Sequence, residues 1–247
     1  MGITPQPATR LPPRRNHANV RGVLAPLEAR LKRIAAWFGA HPLRPALASI
    51  AMILALGSAA AFTDPPRADR DWYPYLARGV DVTVSEQSFE VSPISDWSYA
   101  GEAPTDERYF DAAYAFDDLR EVWFMLEPQP GSQLAAHTLL LFEFSGDRLL
   151  GLTIEARRER NEKFSVLRGA FNAFELAYIW GTARDFLTRR AVMLGHEVFI
   201  YPVAITNEQK RALLMRLLER TEALETQPRY YNTITSNCSN ELAKAPG

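Results

Sequence analysis

The 247-residue chain holds one cysteine, Cys238, and only four histidines. A lone cysteine cannot close an internal disulfide, and no group of His, Cys or carboxylate residues has metal-ligand spacing. Neither a disulfide scaffold nor a metal site is therefore expected. No glycine-rich phosphate loop appears, and no cofactor is expected. An excess of charge of either sign is also missing. With 28 Lys and Arg against 29 Asp and Glu, the formal net charge is -1, which gives no footprint for nucleic acid. What is present is a globular balance, 47% hydrophobic and 23% charged, in a chain long enough to bury one core of moderate size.

The charge is unevenly spread. Residues 1–44 carry eight Lys and Arg and one acid, Glu28, and read as a basic cytoplasmic arm. Residues 45–62, PALASIAMILALGSAAAF, carry no charge. As a helix they would rise about 27 Å, close to the hydrocarbon thickness of a bilayer. Basic residues precede the run, and Asp64, Arg67, Asp69, Arg70 and Asp71 follow it, which places the N-terminus inside and the rest outside. Cleavage as a signal peptide near Ala59–Ala61 and burial as a core helix are the competing readings. The long basic lead favours a retained single-pass transmembrane signal anchor.

Residues 63–79 read as a linker and 80–247 as the exported domain. VDVTVSEQSFEV (80–91) alternates as one strand or two. REVWFMLEP reads as a strand stopped by Pro128 and Pro130. HTLLLFEF (137–144) and LLGLTIEA (149–156) flank Ser145-Gly146-Asp147-Arg148 as a hairpin. NEKFSVLRGAFNAF reads as a loop and short helix, and ELAYIWG and EVFIYPVAI as further strands. Thr206 opens a helix through a T-N-E-Q capping box, with Leu213, Leu214, Leu217 and Leu218 on one face. A last helix begins at Ser236 or Asn237. The fold class expected is α+β, a mostly antiparallel sheet with helices packed at one side.

In that last helix Cys238 falls in the first turn, where the helix dipole and unpaired N–H groups favour a thiolate and can receive an oxyanion. The plain alternative is a small buried side chain filling a gap. A thiol enzyme needs a base. Only His137 and His196 lie beyond the apolar run; His137 opens a strand, whereas His196 sits in a Leu-Gly-His-Glu turn and reads as solvated. A third group should orient the imidazole. Glu143 is roughly 20 Å along the strand from His137 and is excluded. Glu155 depends on register: a two-residue hairpin loop turns it away from His137, and a three-residue loop sets it beside the ring. Its plain alternative is a surface ion pair with Arg157 or Arg158, and EARRERNEK as a whole reads as a solvated strand end and loop.

In combination, AAHTLLLFEF, LTIEARRE, FELAYIWGTARDFL and YYNTITSNCSNEL resemble the Lnb N-terminal periplasmic domain family, over about residues 80 to 244. The resemblance implies a permuted papain-like, NlpC-type fold, with the histidine strand first and the cysteine helix last. It implies Cys238 as nucleophile, His137 as base and Glu155 as orienting group. It also implies acyl transfer in bacterial lipoprotein maturation, through a thioester, with a lipoprotein or phospholipid as substrate and the inner membrane as the site of action. A cell-wall peptidase or amidase and a non-catalytic envelope binding module are the alternatives.

Overall fold

The computed structural model describes residues 20–39, 46–52, 55, 65–131 and 135–245. Two compact units divide at Ala60 and Ala61. The first contains helix α1 (Val20–Gly39), whose described side chains from residue 28 onward are exposed, and helical residues 46–52 and 55. The expected span, 45–62, lies largely outside the described residues. Among the described residues no helix is long and apolar enough to cross a membrane.

The second unit is a nine-stranded sheet with packed helices. Its strands are β1 (Asp81–Val84), β2 (Ser88–Ala100), β3 (Ala103–Ala115), β4 (Leu119–Pro128), β5 (Ala136–Phe144), β6 (Arg148–Arg157), β7 (Phe174–Thr182), β8 (Phe199–Pro202) and β9 (Tyr230–Tyr231). The main path runs β1-β2-β7-β6-β5-β4-β8, with β3 on β2 and β9 on β7. All pairings are antiparallel except the junction of β2 with β7, where Ser95 meets Gly181. Strand β7 is buried along nearly its whole length, as suits a strand covered on both faces.

The helices do not keep to one side, as the sequence led us to expect. Helix α4 (Asn207–Thr226) and helix α5 (Cys238–Ala243) share a core with Leu140, Phe142 and Phe144. Helix α3 (Ala183–Thr188) packs on the other face, where Phe186 meets Leu139 and Leu141. Alternation along β5 divides the two cores. Phe186 fits because β6 and β7 carry glycine beneath it: a Cβ on Gly151 or Gly181 would stand 2.6 Å from its ring. The stretch 63–79, expected as a linker, contributes Trp72, Tyr75 and Leu76 to the buried interior.

Candidate active site

The site begins with a turn. Strands β5 and β6 join through Ser145, Gly146 and Asp147, with Phe144 opposite Arg148. Gly146 and Asp147 have φ of 75° and 57°, a region open to glycine and tolerated by aspartate. Three loop residues set the register that pairs Leu139 with Thr153 and brings Glu155 to His137. Glu143 lies at the far end of β5 and accepts from Trp123 Nε1 at 2.8 Å.

His137 Nε2 lies 2.7 Å from Thr153 Oγ1 and 3.2 Å from Glu155 Oε1. The Thr153 hydroxyl donates to the same Glu155 oxygen at 2.8 Å. With Nε2 so engaged, Nδ1 is the nitrogen left for the sulfur of Cys238, which lies within interaction range of the imidazole. Burial disfavours both charges of this pair, but Glu155 together with their mutual attraction outweighs it. Burial raises the thiol, and the His137 imidazole, helped by Thr138, brings it down to about 7. Burial lowers the imidazole, and Glu155 and Cys238 together carry it up to about 10. Burial raises the Glu155 carboxyl, and His137 and Arg190 hold it below the usual range. The arrangement favours a thiolate–imidazolium pair at neutral pH.

The cysteine is fixed from below. The Asn237 side chain caps α5 by accepting from Asn240 N–H at 2.9 Å, and its carbonyl takes Glu241 N–H. The N–H groups of Cys238 and Ser239 remain as first-turn donors. One turn on, fully buried Glu241 accepts from Tyr178 Oη and Ser236 Oγ at 2.8 Å. Arg220, Arg229 and Lys244 complete its shell. This carboxylate pins the short helix to β7 and α4.

A cavity of about 880 Å³ opens beside the sulfur. Its lining mixes apolar side chains, Leu76, Ile154, Phe164, Val166, Leu194 and Tyr231, with polar ones, Glu127, Arg189, Arg190 and His196.

The family model described as Lnb N-terminal periplasmic domain matches residues 105–245, a segment that contains every residue of this site named so far except Leu76. The chain belongs to that family. No curated protein and no solved structure matches it.

Within the Lnb N-terminal periplasmic domain, the three residues singled out from sequence, Cys238, His137 and Glu155, meet at one cavity. Others were missed. Arg190 is 2% exposed and donates to Thr153 Oγ1 at 3.3 Å, Glu155 Oε1 at 3.4 Å and the Phe186 carbonyl at 3.2 Å. It also pairs with buried Glu127 at 2.9 Å, the cross-strand neighbour of His137. Arg190 sits in a π turn, Arg189–Met193, closed by a bond from Leu194 N–H to the Arg189 carbonyl. No sequence pattern announces that turn. Thr153 was legible in principle, two residues before Glu155 on the same face.

Two expectations are corrected. His196 is not solvated: its Nδ1 bonds the Glu127 carboxylate, which Arg190 orients, and the ring lines the cavity. Nor is the EARRERNEK segment wholly solvated. Arg157 is buried, donating to the Leu76 and Ala77 carbonyls at 2.8 and 2.7 Å over the Trp72 ring, so it is not the partner of Glu155.

Proposed function

We propose that this domain is a thiol acyltransferase acting on lipid or lipoprotein acyl groups in the periplasm, with its strands and cysteine helix in a permuted papain-like order and residues 45–62 as its inner-membrane anchor. The observation that carries the reading is a cysteine and a histidine in interaction range, the histidine backed by Thr153 and Glu155, at a cavity lined in part by apolar side chains. His137 takes the Cys238 proton, and the thiolate attacks an ester carbonyl of the donor. The Cys238 and Ser239 N–H groups hold the oxyanion. As the C–O bond breaks, His137 returns the proton to the departing alcohol, leaving a thioester on Cys238. An amine then attacks the thioester, gives its proton to His137, and expels the thiolate as the amide forms.

The charged residues of the lining, Glu127, Arg189 and Arg190, support a second reading, a peptidase or amidase in which the same thiolate attacks an amide of a cell-wall peptide. The closeness of sulfur and imidazole speaks against a binding module. The deciding experiment is labelling by a thiol-directed acylating probe with a palmitoyl-type chain, against a peptide-based probe of equal reactivity. Wild type is expected to take the palmitoyl probe preferentially, Cys238→Ser not at all, and His137→Ala far more slowly. Equal labelling of all three proteins would overturn both enzyme readings.

A further inference from the structure

Two arginines of the cavity have no carboxylate in contact. Arg158 and Arg189 both line it, and both are half-buried. The acids around them are taken. Glu127 is bound by Arg190 and His196, and Glu155 by Arg190 and His137. Glu159 and Glu162, close to Arg158 in the chain, pair with Arg70 and Arg168, and Asp71 pairs with Arg160. Asp185, one turn before Arg189, accepts from Ser95, Trp97 and Tyr99. It and Glu155 act on Arg189 at a distance, without an ion pair. The two guanidiniums rest on rings instead. Arg189 Cζ is 3.9 Å from the Tyr75 ring centroid, and Arg158 Cζ 5.4 Å from that of Tyr73. Tyr75 also lines the cavity, and its buried hydroxyl has no hydrogen-bond partner among the described residues. It is a third group here that lacks an acceptor.

A guanidinium drawn partly out of water without a counter-ion is costly, and it can only donate. The lining holds three arginines against two glutamates, so the cavity suits an anion from outside. Its volume and apolar residues indicate what carries that anion. About 880 Å³ fits a ligand of some size, not a bare ion. Ile154, Phe164, Leu194 and Val166, the last opening helix α2 (Val166–Ala170), share the lining. A peptide would bring N–H donors, and both glutamates are already bound; a phosphatidyl group brings acceptors and hydrocarbon only. We propose that Arg158 and Arg189 form an anion subsite for the phosphate of a glycerophospholipid, whose acyl part lies along those apolar side chains. This deepens the acyl-transfer reading and rests on it: the acyl donor would be a phosphate-bearing lipid, not a neutral diacylglyceryl group.

The test reads binding, not turnover. The full chain in a non-ionic detergent is alkylated by iodoacetamide at Cys238, its one cysteine, with and without competing ligands. These are dihexanoylphosphatidylglycerol, dihexanoylglycerol, glycerol 3-phosphate, inorganic phosphate and the dipeptide alanyl-alanine. Dihexanoylphosphatidylglycerol is expected to protect the thiol at a several-fold lower concentration than any of the others. R158Q and R189Q should each erase most of its advantage over dihexanoylglycerol. R158K and R189K should recover part of it, since an ammonium keeps the charge but not the guanidinium fork. R158Q alters a half-buried side chain and keeps the test open should R189Q not fold. Equal protection by the charged and the neutral lipid overturns the subsite, as does an advantage that survives both Gln variants. Inorganic phosphate as protective as the phospholipid overturns the lipid source. Stronger protection by the dipeptide overturns the proposal in favour of the peptidase reading. Protection as expected, with no acyl group on Cys238 after incubation with dioleoylphosphatidylglycerol, would sink the acyl-transfer reading alone. Acylation at the wild-type rate in both Gln variants would sink the subsite alone.

Discussion

At the scale of single residues, the site is governed by which charge each group can afford to carry when buried. The thiol lowered to about 7 and the imidazole raised to about 10 define a window. Alkylation of Cys238 by iodoacetamide is expected to climb through about pH 7, below the ordinary thiol value of 9.0. Turnover in the proposed acyl transfer is expected to fall again through about pH 10, as the imidazolium loses its proton. In His137→Ala only burial and Thr138 remain, and the alkylation midpoint should move upward. Arg190 is argued on different grounds. It donates to Thr153, Glu155 and the Phe186 carbonyl rather than to the sulfur or the imidazole, and it binds Glu127 and Glu155 together. Arg190→Met is expected to cost about 3–5 kcal/mol in urea unfolding, because two carboxylates lose their shared cation. Arg190→Lys should recover part of that loss, and an alkylation pH profile separates a positioning role from a purely structural one. Cys238 and His137 were legible because so few candidates existed. Glu155 was legible only conditionally, and Arg190 not at all, since its place comes from a local backbone irregularity.

At the scale of elements, the anchoring of α5 carries the most consequence. Six residues make too short a helix to hold itself, so its order must come from packing and from Glu241. Burial raises that carboxyl, and Lys244, Ser236, Tyr178 and the arginines bring it down to about 2 from 4.5. A group lowered on folding contributes stability above its unfolded value that is lost as pH falls towards its folded value. Thermal melts of the wild type should therefore lose stability between about pH 4.5 and about pH 2. Glu241→Gln should be less stable at neutral pH and lose less across that interval. An unchanged acid limb in the variant would show that the anchor contributes nothing. The capping box at Thr206 and Gln209 was legible because it is purely local, and both of its bonds are present. Strand β3 was not, because it is exposed for most of its length and Pro104, Asp106, Glu107 and Arg108 give it no alternation to read.

At the scale of the whole domain, one buried acid joins two parts of the sheet. Asp185 at the start of α3 accepts from Ser95 Oγ at 2.7 Å, Trp97 N–H at 3.1 Å and Tyr99 Oη at 2.8 Å, where β2 crosses to β7. Asp185→Ala leaves three donors without that acceptor and is expected to cost at least about 1–3 kcal/mol. Chemical denaturation followed by tryptophan emission would read it, since Trp97 and Trp180 lie on opposite faces of the sheet. The α+β class and most strands could be read from periodicity. The crossing of β2 to β7 and the helix on the second face could not, because long-range pairings leave no mark on local alternation. The hairpin tip, meanwhile, works as a ruler for the cluster of side chains at the opposite end of the same ribbon. A tighter two-residue turn, with Ser145 opposite Arg148, would slide β6 along β5 and offer the imidazole Ala156 in place of a carboxylate, so a remote change of turn would disarm the cluster while every one of its side chains remained in the chain.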